Sequence, residues 1–197
     1  MNHRHRKYVR PFVCLLLAIA LVVEVRATTI VRMDLNALAH SAEIIVRARC
    51  THTEIRWESQ SIWTFDDFDV LETFKGTSSQ TLRVRLPGGR VNHLEVKVEG
   101  VPQFAIGEEA ILFVERTSAG DYGVTSWAQG TFRIHREANG DARLTQDTSH
   151  FSVFDPRTRQ FATAGVRNVP INDFREQLAR ALANSATAKQ HSTGSVQ

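Results

Sequence analysis

Short alternating segments separated by turn residues occupy the middle of this 197-residue chain, and they constrain its fold most strongly. Residues 81–86 alternate apolar side chains with arginines, and Pro87-Gly88-Gly89 then signals a turn into a second alternating segment, residues 94–98. Residues 110–114 are apolar at every position, which is typical of a strand that is buried on both faces. This succession of short strands predicts a mainly β protein.

Two of the expected strands are long and change phase along their length. Residues 43–58 carry apolar side chains at even positions up to Cys50 and at odd positions from Ile55 onward. A bulge near residues 51–54 would produce this change and would bend the strand. Residues 62–74 change phase in a similar way, and we expect the break at Asp66-Asp67. Bent strands of this kind allow a small sheet to close into a barrel.

Two helices are expected around the strands. Asp34 can cap a short helix that runs to about Ala42, and Asn172 can cap a longer helix with an apolar stripe that includes Phe174 and Leu178. The predicted divisions are a barrel with an extra hairpin over residues 28–156, an extension with a helix over 157–184, and a disordered tail over 185–197.

The first 27 residues have the pattern of a secretory signal peptide. A basic start precedes an unbroken run of 12 apolar residues, and small residues stand three places and one place before a cut that would leave Thr28 as the new terminus. A membrane span needs about 20 apolar residues, so no stable span is expected after cleavage. We therefore expect an exported protein, periplasmic or secreted.

Removal of this segment changes the charge of the protein. Residues 1–27 hold five of the 24 Lys and Arg residues and one of the 21 Asp and Glu residues, so the remainder has 19 basic and 20 acidic groups. A formal charge near −1 gives no support for nucleic-acid binding, which needs a basic patch on one face.

Cysteine usage fits an exported domain without disulfides. Cys14 lies in the signal segment, which leaves Cys50 as the single cysteine and rules out an intramolecular disulfide. Cys50 shares the alternation of Ile44, Val46 and Ala48, so we expect it in the core as a small apolar side chain.

Three phrases of the chain resemble a known family. They are DLNALAHSAEIIVRAR at residues 34–49, FDVLETFKG at residues 68–76 and GEEAILFV at residues 107–114. In this order they resemble the tissue-inhibitor-of-metalloproteinase-like domains of the netrin-like group, over roughly residues 28–136. The resemblance implies a small closed OB-type Greek-key barrel, here as a bacterial, disulfide-free relative with a short N-terminal helix and a C-terminal helix.

The family's inhibitors chelate a protease zinc ion through the amine and carbonyl of an N-terminal cysteine. The predicted terminus here is Thr28, and there is no disulfide to hold this edge rigid. The resemblance therefore favours the fold and the exported setting more than inhibition by chelation. Thr28 stays a candidate binding residue because its amine and hydroxyl can approach a metal.

Candidate sites are few. The histidines lack the spacing of paired metal ligands, and no nucleophile motif occurs. Asp66, Asp67 and Asp69 are interpreted as solvated acids on a bulge, and Glu109 is expected to face solvent. The three tryptophans, Trp57, Trp63 and Trp127, are the candidate binding residues, with the ends of the barrel as their alternative place.

The favoured function is that of an exported, non-enzymatic OB-type barrel that binds another protein. An envelope or secreted protease is the partner class suggested by the resemblance. The alternatives are a module that binds a small ligand or glycan through its tryptophans, and a hydrolase whose site assembles in space. No cofactor and no metal site is predicted.

Overall fold

The structure is a computed structural model, and it describes residues 30–148, 152–163 and 165–193. The predicted signal segment and Thr28 lie outside the described residues. The described chain is mainly β, as predicted. Its strands are β1 Ile44–Glu58, β2 Ser61–Lys75, β3 Thr81–Pro87, β4 Gly89–Val91, β5 Leu94–Val96, β6 Glu109–Arg116, β7 Tyr122–Val124, β8 Thr131–Arg136, β9 Ala142–Gln146, β10 Val153–Asp155, β11 Gln160–Ala162 and β12 Val169–Pro170. Helix α1 spans Leu35–Ser41, helix α2 spans Ile171–Thr193, and a 3-10 helix spans Trp127–Gly130.

Five strands form a ring. β1 pairs with β2 and with β6, β2 pairs with β3, and β6 pairs with β7, all antiparallel. The ring is completed by a parallel contact between β3 and β7 at one residue pair, Val84 and Tyr122. The sheet continues from β6 through β8 and β9 to β12, so β6 belongs both to the ring and to this second part of the sheet.

The bulge predicted in the first long strand is present. The register between β1 and β2 shifts between Cys50 and His52, which moves the inward face of β1 from even to odd positions. The break predicted at Asp66-Asp67 is wrong, because β2 keeps a constant register with β3 from Trp63 to Asp69. The shifts in β2 fall later, opposite the steps Ile45/Val46 and Arg47/Ala48 of β1.

The apparent phase change in β2 has a different cause. Trp63 and Phe65 lie on the outer face, where arginine side chains cover them: the Arg85 guanidinium is 4.0 Å from the Trp63 ring centroid, and the Arg56 guanidinium is 4.0 Å from that of Phe65. Cation–π contact shields these rings from water without turning them inward. The even positions of β2 therefore face the interior throughout this stretch.

Two apolar cores result from this arrangement. One fills the ring and includes Phe68, Leu112 and Cys50, whose complete burial confirms the prediction for this residue. The other lies between the sheet and the two helices, where Phe132 contacts Phe113 and Phe174 at ring-centroid distances of 5.4 and 4.7 Å. The C-terminal extension thus contributes directly to the core.

The helices largely follow the expected positions. Asp34 precedes α1, and its carboxylate accepts a hydrogen bond of 2.8 Å from the Ala37 amide. α2 begins at Ile171, so Asn172 lies in its first turn instead of capping it. The predicted stripe of α2 is confirmed by the burial of Phe174 and Leu178.

Helix α2 continues to Thr193, so residues 185–193 of the predicted disordered tail are helical, and the remaining four residues lie outside the described part of the chain. Alanine, lysine and glutamine in this segment have high intrinsic helix propensity, which lets the helix extend without apolar anchors. Within the described part of the chain, neither helix has the length and apolar composition needed to cross a membrane.

Candidate functional site

A groove of about 250 Å³ lies at one end of the ring. The β1–β2 hairpin forms one side. The β4–β5 hairpin and residues 97–104 form the other side. This cavity, called the groove below, follows from the bend in β1, which carries the β1–β2 hairpin beyond the strands that close the ring.

Glycines bring the β4–β5 hairpin close to β1 and β2. Gly89 has a φ of +129°, and a Cβ at this position would lie 2.7 Å from Ile55 Cγ2 and 2.8 Å from Thr64 Oγ1. Thr64 also donates a hydrogen bond of 2.8 Å to the Gly88 carbonyl. The turn that Pro87-Gly88-Gly89 signals in the sequence therefore sets the width of the groove.

Asp66 forms part of the groove lining and is completely buried. Thr53 lies directly opposite it on β1 and donates a hydrogen bond of 2.7 Å to Asp66 Oδ1. The other carboxyl oxygen, Oδ2, has no hydrogen-bond partner. Burial raises the pKa of Asp66 to about 6, against the effect of the Thr53 hydrogen bond, and the charges of Asp67 and Glu108 raise it further.

The interpretation of Asp66 as a solvated acid is therefore wrong. The regular alternation of β2 places Asp66 on the same face as the buried residues Ile62 and Phe68. This inward parity was the signal available in the sequence. The sequence pattern favoured the wrong face for Asp66, because Trp63 and Phe65 are apolar residues on the outer face of β2.

Exposed apolar side chains follow Thr53 along the same face of β1. Ile55 lines the groove and is 40% exposed, and Trp57 is 54% exposed. Deeper in the groove the apolar lining comes from Leu86, Val98, Val101 and Phe104. The groove thus combines a buried acid, apolar walls and an apolar rim that remains in contact with solvent.

The three candidate tryptophans occupy different settings. Trp57 lies opposite Ile62, and Trp63 lies opposite Arg56, so these two side chains are on opposite faces of the β1–β2 hairpin. Trp127 belongs to the 3-10 helix between β7 and β8. Of the three, only Trp57 is on the groove side of the hairpin, and the structure does not bring them together into one patch.

Glu109 is a second correction. It was expected to face solvent, but it is 9% exposed and receives hydrogen bonds from Arg49 at 2.5 Å, Arg47 at 2.8 Å and Arg136 at 3.3 Å. Burial acts to raise the pKa of Glu109, but the hydrogen bonds and charges of these arginines outweigh it and lower the pKa to about 2. The cluster is an ion-pair network whose members satisfy one another.

The described residues give little support for a metal site or for a cysteine nucleophile. No group of three or more His, Cys, Asp or Glu side chains in residues 30–148, 152–163 and 165–193 is placed to hold a metal ion. The Cys50 thiol is buried 3.9 Å from Thr53 Oγ1, and burial raises its pKa. A thiol in this state is a poor nucleophile.

The segment from Val31 to Met33 is held to the rest of the protein by hydrogen bonds. The Gln129 side chain accepts a hydrogen bond from the Met33 amide and donates one to the Val31 carbonyl, each at 2.8 Å. The Arg32 amide donates to the Phe154 carbonyl at 2.8 Å. A buried glutamine therefore anchors this segment, while the predicted terminus at Thr28 lies outside the described residues.

Comparison with known proteins adds no assignment. No protein-family model matches the chain, and a search of curated proteins found no match either. The groove and the residues that line it are therefore the basis for the function proposed next.

Proposed function

We propose that this protein is an exported, non-enzymatic OB-type barrel that binds a segment of another protein in the groove. The strand order supports the OB type: around the ring, the first, second, third, fifth and fourth ring strands follow one another as β1, β2, β3, β7 and β6. OB barrels bind ligands on the face of their second and third strands and in the flanking loops. The groove borders β2, β3 and the connection that follows β3.

One observation carries the proposal: the groove that holds a buried carboxyl oxygen without a partner is lined by exposed Ile55, and exposed Trp57 follows Ile55 on the same face of β1. Apolar side chains grouped at the rim of a concavity are typical of interaction sites, and a buried acceptor without a partner can receive a hydrogen bond from a ligand. Asp66 Oδ2 is one of seven buried side-chain polar atoms without a partner among the described residues, and of these residues only Asp66 lines the groove. A protein segment that lies along β1 would cover the apolar rim, and one of its side chains would enter the groove.

The size of the groove favours a protein segment over a free small ligand. Its volume of about 250 Å³ is below the roughly 300–1,000 Å³ typical of small-molecule sites. A glycan site built on tryptophans has less support, because Trp63 is on the far face under Arg85. A hydrolase has less support because no serine, cysteine or histidine among the described residues lines the groove beside Asp66.

An envelope or secreted protease remains the partner class that we favour on the resemblance, and export remains part of the proposal. The groove itself does not depend on chelation through Thr28. Binding in the groove and inhibition of a protease are therefore separable, and the experiment below tests only the binding.

Photo-crosslinking tests the proposal. Benzoyl-phenylalanine replaces Trp57 in one variant and Phe161 in a control variant. Phe161 is an exposed aromatic residue on β11, 61% exposed and outside the groove lining. After illumination in envelope and culture fractions, we expect a discrete crosslinked protein from position 57 only. Equal crosslinks from both positions, or none from position 57, would contradict the proposal.

A further inference from the structure

We propose that the groove receives a basic side chain of the partner, a lysine ammonium or an arginine guanidinium, with the Asp66 carboxylate as its counter-charge. The inference rests on the proposed function and adds the chemistry of the bound segment. It assigns Asp66 the role of a specificity determinant.

The pairing of the other acids on these strands shows why Asp66 is exceptional. Glu109 is surrounded by three guanidinium groups, and Asp67 forms an ion pair of 2.6 Å with Arg83. Among the ion pairs of the described residues, none includes Asp66. Its Oδ1 is bound by Thr53, and its Oδ2 is left as an acceptor with no donor.

The basic side chains that line the groove interact with Glu95 and not with Asp66. Arg90 forms an ion pair of 2.6 Å with Glu95 on the neighbouring strand, and the charge of Lys97 also acts on Glu95. Glu108, whose charge raises the pKa of Asp66, is itself bound to Arg133. The charge of Asp66 is therefore not neutralised within the groove.

The shape of the groove suits a long basic side chain. The methylene groups of lysine or arginine pack well against apolar surface while the charged end reaches a polar partner. Leu86, Val98 and Phe104 supply such a surface beside Asp66. Because Asp66 is completely buried, the charged end reaches it only when residues 97–104 or the β4–β5 hairpin shift aside.

In the free protein, the Asp66 carboxyl has already lost its contact with water. A buried ion pair is often weak because both partners lose water on burial. Asp66 is desolvated before any partner arrives, so only the incoming cation has to lose water. The carboxyl group therefore adds no further desolvation cost on binding, whereas the shift of residues 97–104 or of the β4–β5 hairpin has a cost of its own.

Binding should depend on pH, because the carboxyl must be ionised to attract a cation. Burial raises the pKa of Asp66 to about 6, so the carboxylate forms as the pH rises through this value. The titratable or charged groups on the surrounding elements are Cys50 and His52 on β1, Asp67 on β2, Arg90 on β4, Glu95 on β5, and Lys97 and Glu108 on the connections.

Three matched peptides test the inference: acetylated and amidated pentapeptides of the form Ala-Leu-Xaa-Leu-Ala, where Xaa is lysine, arginine or norleucine. Binding is followed by NMR through the amide signals of groove residues such as Thr64 and Val98. We expect the lysine or arginine peptide to bind about tenfold more tightly than the norleucine peptide near pH 7.5, and the ratio to fall toward one near pH 5.

Two variants identify the group responsible. Asp66→Asn keeps an acceptor for Thr53 but removes the charge, and we expect it to abolish the preference for the basic peptides. Asp67→Asn removes the charge of the next residue, whose side chain lies on the outer face of β2, and we expect the preference for the basic peptides to remain. Circular dichroism checks that both variants are folded.

The outcomes separate this inference from the proposed function. If the norleucine peptide shifts the same groove signals with equal affinity, peptide binding stands and the role of Asp66 is refuted. A lysine preference that persists in Asp66→Asn also refutes that role. If none of the three peptides shifts these signals, binding of a protein segment in the groove is contradicted as well.

Discussion

Replacing Asp66 by asparagine should stabilise this protein at neutral and alkaline pH, although the residue is completely buried. The pKa of Asp66 is raised from an ordinary value of 3.8 to about 6, chiefly by burial. Each unit of difference corresponds to about 1.4 kcal/mol, so the ionised carboxylate costs the folded state on the order of 3 kcal/mol. Asparagine carries no charge at any pH and keeps an oxygen that can accept the Thr53 hydrogen bond.

The sign of the pH dependence follows from the direction of the pKa shift. Near pH 3 the carboxyl is protonated in both the folded and the unfolded state, and it contributes no penalty. As the pH rises from about 4 to about 6, the unfolded state loses its proton first, so stability falls through this window. Above about pH 6 the folded state is ionised as well, and the penalty stays constant.

Urea unfolding of the wild type and of Asp66→Asn measures the effect. We expect the variant to be more stable by about 1–3 kcal/mol near pH 8, and the difference to shrink toward zero near pH 4. Asp67→Asn serves as the control, because the hydrogen bond from Arg83 lowers the pKa of Asp67 and its removal should destabilise the protein near pH 8. If Asp66→Asn is destabilised near pH 8 as well, Asp66 has a partner in the folded protein, and the argument for an unpaired acid fails.

Three further predictions concern other parts of the chain. Glu109→Gln should destabilise the protein by about 2 kcal/mol in urea unfolding near pH 7, with the loss vanishing as the pH falls from about 4.5 to about 2, because the arginines lower the pKa of Glu109. A stable variant would show that this cluster contributes nothing. The Cys50 thiol should react with a maleimide only on unfolding, and Cys50→Ser should cost about 1–3 kcal/mol; rapid labelling of the folded protein would contradict its burial. Mass spectrometry of the protein recovered from an envelope fraction should find Thr28 as its first residue, and an intact Met1 would refute cleavage.

The local pattern of the sequence was sufficient for those features that depend on neighbouring residues. Alternation in β1 indicated both the burial of Cys50 and the bulge that follows it, because a two-residue period states which side chains share a face. The stripe through Phe174 and Leu178 indicated the buried face of α2 for the same reason. These features recur within a few residues and need no knowledge of distant contacts.

The groove required the tertiary structure, because its properties depend on residues that are distant in the chain. Trp63 and Phe65 have the apolar character of core residues, and only Arg85 and Arg56 from the neighbouring strands show that they are covered on the outer face. Likewise, Glu109 and Asp66 are both acids in strands. Glu109 is paired because β1 and β8 place arginines beside it. Asp66 has no ion-pair partner because β1 places Thr53 opposite it. Alternation shows which face a side chain occupies, but its partners on that face are set by which strands are adjacent, and this was decided only when the ring assembled.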